Sequence, residues 1–291
     1  MPELPEVETI SKDLNKKITG LKIRDFWTDW RKSLKLPKNI EQFKKEIKNR
    51  KILKVYRKGK NILINLTGNK LLLIHQKLTG HLLIGKWKVE NEKGRVVSLI
   101  KGSLAEKVNS YIHSIFYLDN GWQLALSDLR KFAKLMVGDK KIIENLADLK
   151  NLGPDPLEIT FLQFKEILKR KRGKIKSVLM DQTVLAGIGN IYSDEILWFS
   201  KINPFKMSEK LSEEELKKIY KYSRSTLKKA ISLRGTSISD YRDPEGYAGG
   251  YDKIRKVYQR GNKPCFRCHN LIKRVKIGSR SAHFCPVCQS N

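Results

Sequence analysis

The first residues of the chain carry groups that could combine nucleophilic and acid–base chemistry. Pro2 is followed by Glu3 and Glu6, so two carboxylates lie within one helical turn of a residue that becomes amino-terminal if Met1 is removed. An α-amine with a pKa of about 7.7–8.0 is roughly one-tenth unprotonated at pH 7, far more than a lysine. It can therefore form a Schiff base, with Glu3 exchanging a proton with the substrate. The same residues also fit an ordinary helix start, with proline and acids in its first turn.

All four cysteines of the chain lie close together near its carboxyl end. They form two CxxC pairs separated by sixteen residues: Cys265, Cys268, Cys285 and Cys288. This spacing is typical of four thiolates around one tetrahedral Zn²⁺, which leaves no open position for catalysis. We expect one structural zinc ion that holds a small basic hairpin. Redox dithiols, an iron–sulfur cluster, or ligation by His269 or His283 remain as weaker alternatives.

A glycine-rich turn precedes a predicted helix that starts at Asn190. Gly187 and Gly189 would let the backbone approach a ligand closely, and a helix amino terminus offers unpaired N–H groups to an anion. A phosphate of a nucleic acid is the natural candidate. A tight turn between two helices is an equally good explanation, and Asn190 could be a helix cap, a phosphate ligand or both.

The charge balance favours a polyanionic partner. Sixty Lys and Arg against thirty Asp and Glu give a formal net charge of +30, although a generally lysine-rich proteome would have the same effect. The basic residues are spread along the chain, with no polybasic tail for a membrane surface and no apolar run of the roughly 18 residues that span a bilayer. The acidic, proline-bearing start is unlike a signal peptide, so we expect a cytoplasmic protein.

The periodicity changes along the chain. A helix is predicted over residues 5–19, and short alternating apolar runs over 21–138, interrupted by a helix at 40–48, indicate a β-sandwich or barrel. Two prolines and a glycine at 151–158 mark a boundary, after which the apolar spacing is helical. Residues 234–262 lack periodicity and are predicted to form a functional loop.

Together these motifs resemble the formamidopyrimidine-DNA glycosylase family, the bacterial 8-oxoguanine excision enzymes. The resemblance runs in order from MPELPEVETI through RKGK, LGPDP and MDQTVLAGIGNIYSDE to VYQRGNKPC and the cysteines. It implies an α+β multidomain fold. The expected domains are a β-sandwich catalytic domain with a leading helix (1–150), a helix-two-turn-helix domain with a lesion loop (151–260) and a zinc finger (261–291).

The resemblance also implies a bifunctional DNA glycosylase and AP lyase that excises oxidised purines (8-oxoguanine and formamidopyrimidines) from duplex DNA. Pro2 would attack C1′ of the flipped nucleotide, with Glu3 as acid and base. Lys60 would serve β-elimination and Arg280 δ-elimination. The matching pocket acids are Glu6 and Glu195. The matching DNA-binding positions are Leu78, Arg130, Phe132, Arg172, Asn190 and His113.

Departures from the family pattern surround the positions expected to distort DNA, where Gln76-Lys77 replaces Leu-Gly and Leu78 replaces a common methionine. They leave open an oxidised-pyrimidine glycosylase of the endonuclease VIII type, or a DNA-binding protein that has lost catalysis. The expected partner is double-stranded DNA with damaged bases or abasic sites, bound by a monomer in the nucleoid of a bacterial cytoplasm. The segment 86–110 matches the family poorly and receives no role.

Overall fold

The computed structural model describes residues 1–90, 95–238 and 240–290. Residues 91–94 of the segment 86–110, Ser239 of the 234–262 loop and the last residue of the predicted zinc finger lie outside the described residues. The chain divides into two compact units. The first comprises Met1–Lys150 and Leu233–Gly250, and the second comprises Asn151–Ser232 and Tyr251–Asn291.

The first unit contains two packed sheets. Their strands are β1 (Ile23–Thr28), β2 (Leu34–Leu36), β3 (Ile52–Lys58), β4 (Asn61–Leu66), β5 (Lys70–His75), β6 (His81–Gly85), β9 (Ile112–Leu118), β10 (Gln123–Ser127) and β11 (Lys134–Asp139). One sheet has the strand order β1-β9-β10-β6 and the other the order β2-β11-β5-β4-β3. Strand β2 pairs with β11 in parallel, and the other neighbours named here pair in antiparallel fashion. Alternate residues of both sheets face a shared core, which is the sandwich that the alternating runs predict.

Helix α1 (Leu4–Ile18) supplies one edge of this core. Its buried residues Val7, Ile10, Leu14 and Ile18 recur at the spacing of one helical face and join the same apolar cluster as the sheets. Helix α2 (Ile40–Ile47) begins after Asn39, whose side chain caps it by accepting the N–H groups of two first-turn residues. Short helices α3 (Lys140–Glu144) and α4 (Ala147–Lys150) close the segment. The sandwich therefore fixes the position at which α1 begins.

The segment that receives no role from the sequence covers the outer face of one sheet. Strands β7 (Trp87–Val89) and β8 (Val96–Ser98) form a small hairpin, and Trp87 and Leu104 pack on the outward side chains Leu83, Ile115 and Ala125 of the four-stranded sheet. The described part of 86–110 thus buries a face that would otherwise be exposed and apolar.

The second unit combines helices with a terminal hairpin. Its helices are α5 (Phe161–Lys169), α6 (Ile175–Met180), α7 (Asn190–Ser200) and α8 (Glu213–Ser232). A capping box precedes α8, since the Glu215 N–H donates to Ser212 Oγ at 3.2 Å and the Ser212 N–H donates to a Glu215 carboxylate oxygen at 2.9 Å. Strands β12 (Lys273–Ile277) and β13 (Arg280–Phe284) pair in antiparallel fashion.

A buried polar chain attaches this hairpin to α7. Lys176 Nζ donates to Asp194 Oδ1 at 2.5 Å and to the Ser281 carbonyl at 3.0 Å, and Asp194 Oδ2 accepts the His283 N–H at 2.9 Å. Lys176 and Asp194 are almost fully buried, and a buried charge is tolerated only when paired and hydrogen-bonded in this way. None of the described helices is both long enough and apolar enough to cross a bilayer.

Candidate functional site

The amino terminus lies at the start of α1 with two buried carboxylates. Glu3 precedes the first helical residue, and its backbone N–H donates to Glu6 Oε2 at 2.8 Å, which forms a capping box. The exposed fractions of Glu3 and Glu6 are only 2% and 1%. Pro2 is also buried. The structure therefore brings Pro2, Glu3 and Glu6 together, as their spacing predicts.

Lys60 belongs to the same cluster. It lies in the tight turn between β3 and β4, where Gly59 takes the left-handed conformation with a φ of 58°, and its side chain is buried. Burial lowers the pKa of the terminal amine at Met1, and the charge of Lys60 lowers it further, whereas Glu3 and Glu6 oppose the shift. An amine with a lowered pKa carries more free base near neutral pH, which is what nucleophilic attack requires.

Glu6 links the amino terminus to a remote segment of the first unit. Its Oε1 accepts the Thr236 N–H at 2.7 Å, while Oε2 accepts the Glu3 N–H. Gly235 has a φ of +83°, and a Cβ at this position would lie 2.7 Å from Glu6 Oε1. Both carboxylate oxygens of Glu6 thus accept backbone N–H groups, so Glu6 positions the backbone at Glu3 and at Thr236. Its membership of a lesion pocket stays a prediction.

His75, at the end of β5, was missed by the sequence analysis. Burial lowers its pKa to about 3, and the charges of Lys77 and Lys60 add to the effect. Its Nδ1 accepts the Lys77 N–H at 3.0 Å, so the ring is neutral and carries its proton on Nε2. The signal that could have found it is a histidine as the last residue of a predicted apolar strand.

Two neighbouring loops of the first unit carry the residues predicted to enter DNA. Leu78, in the β5–β6 loop, is half-buried. Phe132, in the β10–β11 loop, is 49% exposed, and the Arg130 guanidinium lies 4.8 Å from the centre of its ring. A cation stacked on an exposed aromatic ring suits a surface that meets bases and phosphates.

His113 lies on β9 and is paired. Its Nδ1 lies 2.9 Å and 3.0 Å from the two carboxylate oxygens of Asp29. The carboxylate of Asp29 therefore fixes the orientation of the His113 ring. The predicted contact itself stays untested.

In the second unit, Asn190 and Glu195 lie on α7 with different surroundings. Asn190 is the first residue of the helix after Gly189, and its Oδ1 is buried with no hydrogen-bond partner among the described residues. Its amide nitrogen lies 3.5 Å from the Tyr258 hydroxyl. A polar cavity adjoins it, lined by Asn190, Tyr258, Gln259, Gly261, Asn262, Arg274, Ser281 and His283. An anion at this helix start would meet polar groups on several sides.

Glu195 is fully buried and holds a turn. Its Oε1 accepts the N–H groups of Val257 at 2.9 Å and Tyr258 at 3.0 Å, and its Oε2 accepts the Lys256 N–H at 2.8 Å. Burial raises the pKa of this carboxyl, although the three donors oppose the shift. Its predicted place in a pocket is likewise untested.

Arg172 and Arg280 are both exposed at turns. Arg172 lies between α5 and α6, and Arg280 begins β13 directly after the hairpin turn at Gly278 and Ser279. Exposed guanidinium groups on tight turns can reach a phosphate without desolvating a core.

The four cysteines form one cluster. Their sulfur atoms all lie within 4.8 Å of one another, with Cys268 Sγ 3.4 Å from Cys285 Sγ, and none is in a disulfide. A tetrahedral ion with Zn–S bonds of about 2.3 Å needs sulfurs about 3.8 Å apart, so these residues fit zinc. Trp198 Nε1–H donates to Cys265 Sγ at 3.4 Å, a contact that orients one ligand. The cluster contains neither His269 nor His283.

Three family models together match most of the chain. The N-terminal domain of formamidopyrimidine-DNA glycosylase matches residues 1–135, its H2TH domain matches residues 152–242, and the zinc finger found in FPG and IleRS matches residues 262–291. The zinc-finger match and the cysteine geometry confirm the predicted zinc site.

Full-length relatives and solved structures agree with these models. The chain is 38% identical to the formamidopyrimidine-DNA glycosylase of Pelotomaculum thermopropionicum, over 99% of each chain, and 36% identical to that of Heliobacterium modesticaldum, over 99% of this chain and 100% of the other. The Lactococcus lactis FPG (MutM) in complex with a Fapy-dG containing DNA has a TM-score of 0.84 at 30% identity, over 99% of this chain and 100% of that one. Thermus thermophilus MutM (FPG) has a TM-score of 0.82 at 30% identity, over 99% and 98%. The predicted fold class is confirmed.

Proposed function

Because the chain belongs to the formamidopyrimidine-DNA glycosylase family, as its motifs predict, we propose that it is a bifunctional DNA glycosylase and AP lyase. It excises oxidised purines, such as 8-oxoguanine and formamidopyrimidines, from duplex DNA and then cleaves the strand. The solved structures of its relatives in complex with Fapy-dG DNA and with abasic-site DNA support this substrate class.

The observation that carries the proposal is the cluster at the start of α1. A terminal amine with a lowered pKa lies close enough to Glu3, Glu6 and Lys60 for each of their charges to affect it. In the proposal, removal of Met1 leaves the terminal amine on Pro2, the residue directly before Glu3. A nucleophilic amine, a carboxyl and a second amine are the groups that Schiff-base chemistry at a sugar requires.

The proposed chemistry begins with Pro2. Its nitrogen bonds to C1′ as the bond from C1′ to the damaged base breaks, and the base takes a proton. Glu3 supplies or removes protons at this stage, and opening of the sugar ring gives an iminium ion. Lys60 assists loss of the C2′ proton and departure of the 3′ phosphate, which is β-elimination. Loss of the 5′ phosphate from the same iminium is δ-elimination, and hydrolysis of the iminium then releases the amine.

The second unit supplies binding in this proposal. Asn190, Arg172 and the zinc-held hairpin with Arg280 contact phosphates, and Arg280 also serves δ-elimination. The net charge of +30 supports a large electrostatic share of the affinity. The proposed domains are residues 1–150, 151–260 and 261–291. The protein acts as a monomer on the chromosome in a bacterial cytoplasm.

Borohydride trapping on abasic-site DNA tests the enzyme. Protein without Met1 should form a covalent adduct, because reduction fixes the iminium. A form with an uncleaved amino-terminal extension should form none while binding the same DNA, since an amide nitrogen cannot attack C1′. An equal adduct yield from the extended protein would rule out Pro2 as the nucleophile. No adduct from the processed protein would favour a binding protein without catalysis.

The substrate class needs a separate comparison. Initial rates on 8-oxoguanine opposite cytosine and on thymine glycol in the same duplex should favour the purine. A preference for thymine glycol would move the chain to oxidised pyrimidines.

A further inference from the structure

Two loops of the first unit are joined by one buried hydroxyl and one buried carboxylate. Thr79 lies in the β5–β6 loop and Asp128 at the start of the β10–β11 loop, with exposed fractions of 7% and 2%. The Thr79 hydroxyl donates to Asp128 Oδ1 and accepts the Arg130 N–H at 3.0 Å. Asp128 Oδ2 accepts the Ala133 N–H at 2.8 Å. We call these two side chains the Thr79–Asp128 node.

The node determines the shape of the β10–β11 loop. Thr79 accepts a hydrogen bond from the Arg130 N–H, and Asp128 accepts one from the Ala133 N–H. These two residues lie on either side of Lys131, which has a φ of 57°. The Lys131 N–H donates to the Asp128 carbonyl at 3.1 Å, and Trp30 Nε1–H donates to the Lys131 carbonyl at 3.2 Å. A left-handed conformation is unfavourable for lysine, so these contacts are needed to maintain it.

The β5–β6 loop is equally constrained. The Gly80 N–H donates to the Gln76 carbonyl at 3.1 Å, and a Cβ on Gly80 would lie 2.4 Å from that oxygen. This closed turn presents Leu78 directly before Thr79. The threonine hydroxyl therefore connects a loop of fixed shape to a second loop of fixed shape.

We propose that the Thr79–Asp128 node is a positioning device that makes Leu78, Arg130 and Phe132 act as one unit when they fill the space left by an extruded nucleotide. The inference rests on the proposed function. Leu78 directly precedes Thr79, and the backbone N–H of Arg130 donates to the Thr79 hydroxyl. Phe132 directly precedes Ala133, whose N–H donates to Asp128 Oδ2. Filling a gap in stacked DNA requires side chains held at a fixed separation, since a flexible loop would lose ordering entropy on insertion.

Thr79→Val tests the node, because valine has the shape of threonine without the hydroxyl. It leaves the Arg130 N–H and Asp128 Oδ1 without their partner. Excision of 8-oxoguanine from a duplex should fall about tenfold, the loss expected for an unsatisfied buried group. Cleavage of an abasic site in single-stranded DNA should stay within about twofold, since no duplex gap needs filling.

Three further variants keep the result interpretable. Thr79→Ser restores the hydroxyl and should restore duplex excision. Thr226→Val replaces another buried threonine, on α8, and should change neither activity. Asp128→Asn breaks the node from its other side and should reproduce the Thr79→Val pattern. Equal losses on duplex and single-stranded substrates, or no rescue by serine, would reduce the node to general stability and overturn the proposal.

A double-mutant cycle with Phe132→Ala supplies the decisive readout. If Thr79 acts through the loops, Thr79→Val should reduce duplex excision much less when Phe132→Ala is already present. If the two sites are independent, the fold-losses of the two single variants should multiply in the double variant. A multiplicative result would contradict the coupling.

The inference can fail separately from the proposed function. Absence of excision by the unaltered protein would contradict the function alone. The node would then be judged by affinity for a duplex with a tetrahydrofuran site, which Thr79→Val should lower about tenfold relative to Thr79→Ser. Equal affinities would overturn the node.

Discussion

Glu6 in the first unit and Glu195 in the second are both buried glutamates whose carboxylate oxygens accept backbone N–H groups. Glu6 joins two distant parts of the chain, since its donors are Glu3 and Thr236. Glu195 holds one local turn, because its backbone donors are the consecutive residues 256–258. The resemblance to the family implies one role for both, that of acids in the lesion pocket. The structure shows that the first fixes the surroundings of the amine and the second fixes the turn ahead of the zinc module.

The largest effect should come from Glu6→Gln. A glutamine side chain has one acceptor oxygen, whereas two backbone N–H groups donate to Glu6. The N–H of either Glu3 or Thr236 would therefore lose its acceptor and lie against the NH₂ group of the glutamine. We expect the rate of adduct formation on abasic DNA to fall about 100-fold with unchanged DNA affinity, because a buried unsatisfied donor costs about 1–3 kcal/mol.

The matched control is Glu41→Gln, an exposed first-turn acid on α2, which should leave both quantities unchanged. If Glu6→Gln lowered affinity but not the rate of adduct formation, the division of labour between the two glutamates would be wrong.

Removal of zinc should affect binding and spare the first unit. Without the metal, the four thiolates no longer hold the hairpin, which is too small to have a core of its own. We expect duplex affinity to fall by more than about tenfold, since phosphate contacts of the hairpin are lost together. Titration after chelation, with metal content measured, gives the result. Zinc-free protein of full affinity would contradict it, and added Zn²⁺ should restore binding.

The sequence alone predicts those parts of the amino-terminal cluster and of the cysteine cluster whose residues lie close together along the chain. The CxxC spacing predicts the cysteine cluster, and Pro2, Glu3 and Glu6 follow from one helical turn. The partners of the buried carboxylates could not be predicted. Glu6 meets Thr236 only because the sandwich brings the two segments together, and no periodicity records a pairing across 230 positions. The cover over the outer sheet face was missed for the same reason, since Trp87 packs on residues of other strands.

Glu195→Gln should lower duplex affinity less than zinc removal does. Unlike Glu6→Gln, it should leave the rate of adduct formation unchanged. One of the three N–H donors at residues 256–258 would lose its acceptor, which loosens the turn beside Asn190. We expect duplex affinity to fall about fivefold to tenfold, with adduct formation unchanged at saturating DNA. Single-turnover rates measured across DNA concentrations separate the two. A loss that persists at saturation would mean that Glu195 also affects the chemistry.

The smallest expected effect is that of Arg280→Ala on salt dependence. Arg280 is exposed at the start of β13, so its removal should spare the hairpin while deleting one phosphate contact. The slope of log affinity against log salt should become less steep by about 0.9, the value for one phosphate on duplex DNA. Lys16→Ala, an exposed charge on α1 with no predicted DNA contact, should leave the slope unchanged. An equal change of slope in both variants would mean that the slope reports the total charge of the protein. The proposed phosphate contact of Arg280 in the second unit would then be contradicted.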